Sequence, residues 1–112
     1  IGVRVLAGGA LSGSTARHPL GMRDVTPIGS ETDYATDVKR GLAFMPLVEA
    51  GQARSLIELA IRYVISNPAL PTTEIGIATL DELQQATTAV NKGPLYADAL
   101  TAIKQVQAGF VI

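Results

Sequence analysis

Side chains able to do chemistry are sparse in this chain, and they do not converge. The 112 residues hold one histidine and no cysteine, which argues against a transition-metal site, since such sites draw on imidazole and thiolate groups. His18 falls in a proline-containing loop and reads as a solvated histidine. The three tyrosines, Tyr34, Tyr63 and Tyr96, all fall on segments with helical patterning. What remains are two places where backbone could meet an anion. In "RVLAGGALSG", Gly8 and Gly9 let amides approach a phosphate closely and Arg4 adds positive charge; the same glycines also serve simply to end a strand. In "TLDELQQATTAV", the helix start at Ala78, Thr79 and Leu80 has free amides suited to an anion. Asp81 and Glu82 follow at once and already offset the helix dipole there.

Composition sets the frame for these positions. With 47% apolar residues and a formal charge of -1, the chain has the balance of one globular domain, without the charge of a disordered or nucleic-acid-binding segment. Its apolar runs are too short to span a bilayer and its start lacks the basic region of a secretory peptide. No membrane or nucleic-acid partner is expected, and the absence of cysteine fits a reducing, cytoplasmic setting. Aromatic residues make up only 4% of the chain, so the core must be built from Leu, Ile, Val and Ala, a composition suited to helices packed on a sheet.

The elements that must position the two candidate segments follow from periodicity. Val3 to Ala7 reads as a short buried strand, interrupted by Arg4 and ended by the glycines. Residues 14–32 read as loop, with Arg17, Arg23 and Asp24 solvated. Residues 33–69 carry helices. Asp33 is a candidate N-cap, and Tyr34, Val38, Leu42 and Met45 recur on one face. Pro46 should break or kink that helix, and Gly51 ends the segment. Asp37, Lys39 and Arg40 read as exposed helix charges.

The strongest helix runs from about Ala53 to Asn67. There Arg54, Glu58, Arg62 and Ser66, four apart, form one polar stripe expected to face water while the remaining sides are buried. "TTEIGIA", residues 72–78, reads as a second brief strand in which Glu74 meets a rim or a charge partner. Thr79 and Glu82 then form a T-x-x-E capping box. Gly93 stops that helix, and Tyr96, Leu100, Ile103, Val106 and Phe110 repeat an apolar face on the last one. Two strands separated by crossover helices imply parallel pairing, although two parallel strands alone make a poor sheet with open edges.

Three stretches, "RVLAGGALSG", "SLIELAIRYVISNPALPTTEIGIATLDELQQATTAV" and "NKGPLYADALTAIKQVQAGF", together resemble the C-terminal portion of an aldo-keto reductase of the bacterial aldose-dehydrogenase-like branch. They stand in the family's order and spacing and span nearly the whole chain. The resemblance implies an α/β fold: the last part of a (β/α)8, or TIM, barrel, with residues 1–13 as seventh strand and cofactor loop, 72–78 as eighth strand and 79–112 as C-terminal helices. It implies hydride transfer between NAD or NADP and a small carbonyl or sugar substrate. The family's acid–base tyrosine, lysine, aspartate and histidine have no counterparts in this sequence, so the chain alone is expected to be inactive.

By the same resemblance the cofactor contacts fall on Arg4, Leu6, Ala7 and Gly9, which lie along the pyrophosphate, and on Gly76, Ala78, Thr79 and Glu82. NADP-dependent members carry a basic clamp for the 2'-phosphate and a later asparagine at the adenine. Here Gly76, Ile77 and Ala78 hold the early positions, Glu82 stands near where an arginine occurs, and Ala86 replaces the asparagine. No basic residue lies between Arg62 and Lys92, so NAD is preferred over NADP. A beginning inside a strand and without methionine reads as a piece of a longer enzyme. The alternative is a noncatalytic helical module that binds a partner or self-associates through exposed barrel edges.

Overall fold

Helices begin where a side chain can cap them. The structure is a computed structural model that describes residues 1–14, 16, 19–20 and 26–110. Helix α1, Tyr34–Leu42, starts at Asp33, whose carboxylate accepts the Thr36 amide at 2.6 Å. The chain cannot continue as one helix through Pro46, which lacks an amide hydrogen. It turns at Ala43 and Phe44 and restarts as α2, Met45–Glu49, with the proline in the first turn, where no donor is needed. Helix α3, Leu56–Ile65, is capped by Ser55 on the Glu58 amide at 3.1 Å. Helix α4, Leu80–Asn91, carries the expected capping box of Thr79 and Glu82. Gly93 turns the chain in the left-handed region at φ +79°, and α5, Ala97–Ala108, follows.

Helix α3 is the central element, because its apolar positions serve two clusters. Leu56 and Leu59 join Phe44, Leu47, Leu95, Ala99 and Ile103, which binds α2, α3 and α5 together. Ile61 joins Val5, Ala86 and Ala89, with Ile57 and Val64 beside it. Alanines at 86 and 89 have short side chains, which lets α4 lie close against α3. On α5 the most buried residue is Ala99, while Tyr96, expected on its apolar face, is 76% exposed.

The polar stripe of α3 is not the wetted side that its spacing predicts. Glu58 and Arg62 are both buried. The Glu58 carboxylate accepts from the Lys92 ammonium at 2.6 Å and from the Arg54 amide at 2.8 Å, with the Arg62 guanidinium 3.7 Å away. Arg62 donates to the carbonyls of Gly93 at 2.9 Å, Pro94 at 3.1 Å and Gln52 at 3.5 Å. Ser66 completes the seam, its hydroxyl accepting the Leu95 amide at 2.9 Å. The third side of α3 is thus buried too, against the connection between α4 and α5. Asp37 departs from expectation in the same way. It is buried, and its carboxylate accepts the Ile28 and Ser30 amides at 2.9 and 2.7 Å.

The expected α/β architecture is not formed. Among the described residues there is no strand and no sheet, so residues 1–13 and 72–78 are not barrel strands and the (β/α)8, TIM-barrel assignment is corrected to an all-helical domain. Only one parallel bridge joins the two segments: the Gly2 amide donates to Thr72 at 2.9 Å and the Glu74 amide to Gly2 at 2.8 Å. It propagates no further because Arg4 turns into the left-handed region at φ +58°. A two-stranded parallel pair has in any case too little ladder to support itself. Glu74 is consequently exposed, as are Ile75 and Ile77.

Burial pushes the Glu58 carboxyl up, but Lys92, the Arg54 amide and Arg62 outweigh it and hold it below the usual carboxylate value. A carboxyl depressed in the folded state adds stability that is present above its unfolded value and lost as pH falls through the folded one. Glu58→Ala should therefore lower stability at neutral pH by about 1–2 kcal/mol, since Lys92 returns to solvent and Arg62 keeps its carbonyl partners. Denaturant unfolding as a function of pH should also show a smaller acid-side loss in the variant than in the parent chain. Equal acid dependence would mean that Glu58 is not the group responsible.

Candidate functional site

The segment from Arg4 to Gly9 is a tight coil that enters the left-handed region at Arg4 and again over three successive residues, Ala7 to Gly9. Arg4, Ala7, Gly8 and Gly9 have φ of +58°, +51°, +68° and +103°. Turn hydrogen bonds enforce this path: Ala7 donates to Arg4 and Gly9 to Leu6, both at 2.9 Å, while the Ser12 hydroxyl donates to the Gly9 carbonyl at 2.6 Å. The amides of Ala7 and Gly9 are thus used within the coil. Arg4 projects an exposed guanidinium from it, and Leu6 is partly buried beside Ile61. The exposed Arg4 charge thus stands beside a glycine surface that carries no side chains.

The second segment fits an anion less well. Gly76 is exposed, with open space around the position a side chain would take. The Glu82 carboxylate bends back to accept the amide of Ala78 and, at 3.2 Å, that of Thr79, while the Thr79 hydroxyl accepts the Glu82 amide at 3.1 Å. The helix start therefore already holds a carboxylate of its own. A phosphate reaches these amides only by displacing Glu82, beside the further negative charge of Asp81. The two basic residues that flank the region, Arg62 and Lys92, are both engaged with Glu58. Ala86, standing where an asparagine was considered, is buried against α3.

The tyrosines do not form an acid–base set. Tyr34 donates its hydroxyl to the Ser14 carbonyl at 3.4 Å. Tyr63 sits on the half-open side of α3, and Tyr96 stands exposed ahead of α5. His18, Arg17, Arg23 and Asp24 lie outside the described residues. Among the described residues no cluster of His, Cys, Asp and Glu is placed to hold a metal ion, and no helix is long and apolar enough to cross a membrane.

Two features went unread in the sequence. One is the cluster of the buried Glu58 and Arg62 with the partly exposed Lys92. The other is a cavity of about 300 Å³ between the opening coil, α1, α3 and the end of α5, walled by Leu11, Phe44, Leu59, Ala60 and Phe110. Its walls hold both phenylalanines of the chain. Their rings meet edge to face with centroids 5.8 Å apart, and the Arg40 guanidinium lies 5.3 Å from the Phe110 ring centre. The sole prior sign was the Phe110 position on a helical apolar face; nothing in the spacing joined it to Phe44.

Comparison with protein-family models, with curated proteins and with solved structures gave no match.

Ala7 is a residue with a Cβ held at positive φ, a conformation that costs roughly 1–2 kcal/mol for a non-glycine residue. Ala7→Gly should relieve it and raise stability by about 0.5–1 kcal/mol, after the added freedom of glycine in the unfolded chain is set against the gain. Thermal unfolding of the two chains side by side checks this; a lower midpoint for the variant would mean that the coil is not strained at Ala7.

Proposed function

We propose that the chain holds the dinucleotide in an NAD(P)-dependent oxidoreductase of the aldo-keto reductase kind, with the acid–base residues supplied by other parts of that enzyme. The observation that carries this reading is the parallel bridge between Gly2 and Thr73. Because the paired segments run in the same direction, the residues that follow each of them, Arg4 to Gly9 and Gly76 to Glu82, leave the bridge on the same side. When bound, the nicotinamide supplies or accepts hydride, with a small carbonyl or sugar as the substrate class.

In this reading Arg4, Leu6, Ala7 and Gly9 lie along the pyrophosphate, and Gly76, Ala78, Thr79 and Glu82 lie toward the adenosine half. The carboxylates of Asp81 and Glu82, and the engagement of Arg62 and Lys92 with Glu58, favour NAD(H) over NADP(H), since a 2'-phosphate would meet like charge. Calorimetric titration of the chain should show heat of binding with NAD(H) and weaker binding with NADP(H). Arg4→Ala should weaken both by about two- to fivefold, the worth of one exposed charge pair. The chain alone should reduce no aldehyde. Absence of binding by either dinucleotide, tighter binding of NADP(H), or turnover by the chain alone would each sink the proposal.

A second reading, a noncatalytic helical module that self-associates, is favoured by one surface. Leu80, Leu83 and Val90 on α4 are 69%, 46% and 51% exposed. Their spacing of three and seven puts them on one helix face, beside the one whose alanines pack on α3, and Ile75 and Ile77 stand exposed just ahead of them. Contiguous apolar surface of this kind marks contact sites. The surface involved is a helix face and not a sheet edge. Sedimentation equilibrium should then show concentration-dependent association that Leu83→Glu abolishes; a monomer at every concentration removes this reading.

A further inference from the structure

We propose that the cavity between the opening coil, α1, α3 and α5 is a binding site for a small, uncharged, ring-shaped apolar molecule. Size is the first reason. The cavity measures about 300 Å³, whereas a site of about 150 Å³ lined by aliphatic and phenyl groups is already large enough to take benzene. The space is a cleft open to solvent on one side, and water against its apolar walls of Leu11, Leu59, Ala60 and the two phenyl rings finds few protein partners there, so a ligand that covers them displaces it readily.

Shape is the second reason. Phe44 and Phe110 stand at 87° to one another, so they form an aromatic corner. A flat ring entering the corner stacks on one phenyl face and turns its own edge to the face of the other, the two geometries aromatic pairs prefer.

Charge is the third reason, and it decides between neutral and ionic ligands. The polar groups at the rim are already engaged with the protein. Both carboxylate oxygens of Asp37 accept backbone amides, from Ile28 and Ser30. The Arg40 guanidinium donates to the Gly29 carbonyl at 3.1 Å and lies over Phe110. A charged ligand would give up its hydration and find a rim of balanced sign in return. Tyr63 and Gln107, also on the rim, offer neutral polar groups that a single N–H or hydroxyl on the ligand can meet.

Indole is a suitable probe, because the chain contains no tryptophan and indole emission can be followed without an indole background from the protein. Indole added to the chain should shift its emission to shorter wavelength. At ten times its dissociation constant it should raise the folding equilibrium constant about elevenfold by mass action. Amide shifts in an NMR titration of the unsubstituted chain should centre on Leu11, Phe44, Ala60 and Phe110. Ala60→Leu, which fills the cavity from α3, should weaken binding by about tenfold or more, and indole-3-acetate should not compete. Absence of any emission or stability change, amide shifts centred on Leu80 to Val90, or equal binding of indole-3-acetate would overturn the proposal. The NMR map decides the matter even where the Ala60 variant does not fold.

Discussion

The carboxylate of Glu58 is the constraint on which the rest of the helical arrangement depends. It sits on the central helix, buried, and ties α3 to the residues where α4 ends and the chain turns toward α5. A buried charge is tolerable only when its lone pairs are met. Lys92, the Arg54 amide and Arg62 meet them from three directions. Arg62 in turn satisfies carbonyls at Gln52, Gly93 and Pro94, groups at helix ends and turns that have no ladder partner. Among the described residues no buried side-chain polar atom is left without a hydrogen bond. The seam fixes the position of α4 and α5 relative to α3 with a precision that the aliphatic clusters alone would not give, because apolar contacts lack direction.

That seam also explains why the sequence misleads where it does. A stripe of Arg54, Glu58, Arg62 and Ser66 at spacing four is the pattern of a solvated helix side, and local reasoning cannot tell it from a polar interface. The partners that bury it, Lys92 to Leu95, lie some thirty positions along the chain. Asp37 repeats the lesson at shorter range: a charged residue in the first turn of α1 becomes a buried acceptor because Ile28 and Ser30 fold back over it. Features set within one turn of helix were legible. Asp33 and the pair of Thr79 and Glu82 cap as expected, Pro46 interrupts and Gly93 turns, since each depends on groups three or four residues away.

The strands were misread for a different physical reason. "VRVLA" and "TTEIGIA" have the composition of buried strands, but a strand is a property of its neighbours as much as of its residues. With a single partner the ladder stops after one bridge, Arg4 and Ala7 enter the left-handed region, and Ile75 and Ile77 are left in water. Val5 and Leu6 still find apolar company, on Ile61 and the alanines of α4. The apolar demand of the opening segment is therefore met by helices. In the two candidate site segments the use of the amides was not readable. Ala7 and Gly9 spend theirs within the coil, and Ala78 and Thr79 give theirs to Glu82.

This last contact gives the dinucleotide reading its physical content. An amide pair at a helix start is attractive to a phosphate because it is unsatisfied; once a carboxylate of the same helix accepts from it, the incoming anion must compete with a group held at effectively high local concentration. The capping box stabilises α4 and at the same time lowers the affinity of that site for any anion. Arg4 has no such competitor on its own segment, and its guanidinium projects from a coil whose neighbouring glycines carry no side chain to obstruct approach. Of the two places, the start of α4 is therefore the weaker one for an anion, and the exposed charge of Arg4 the stronger.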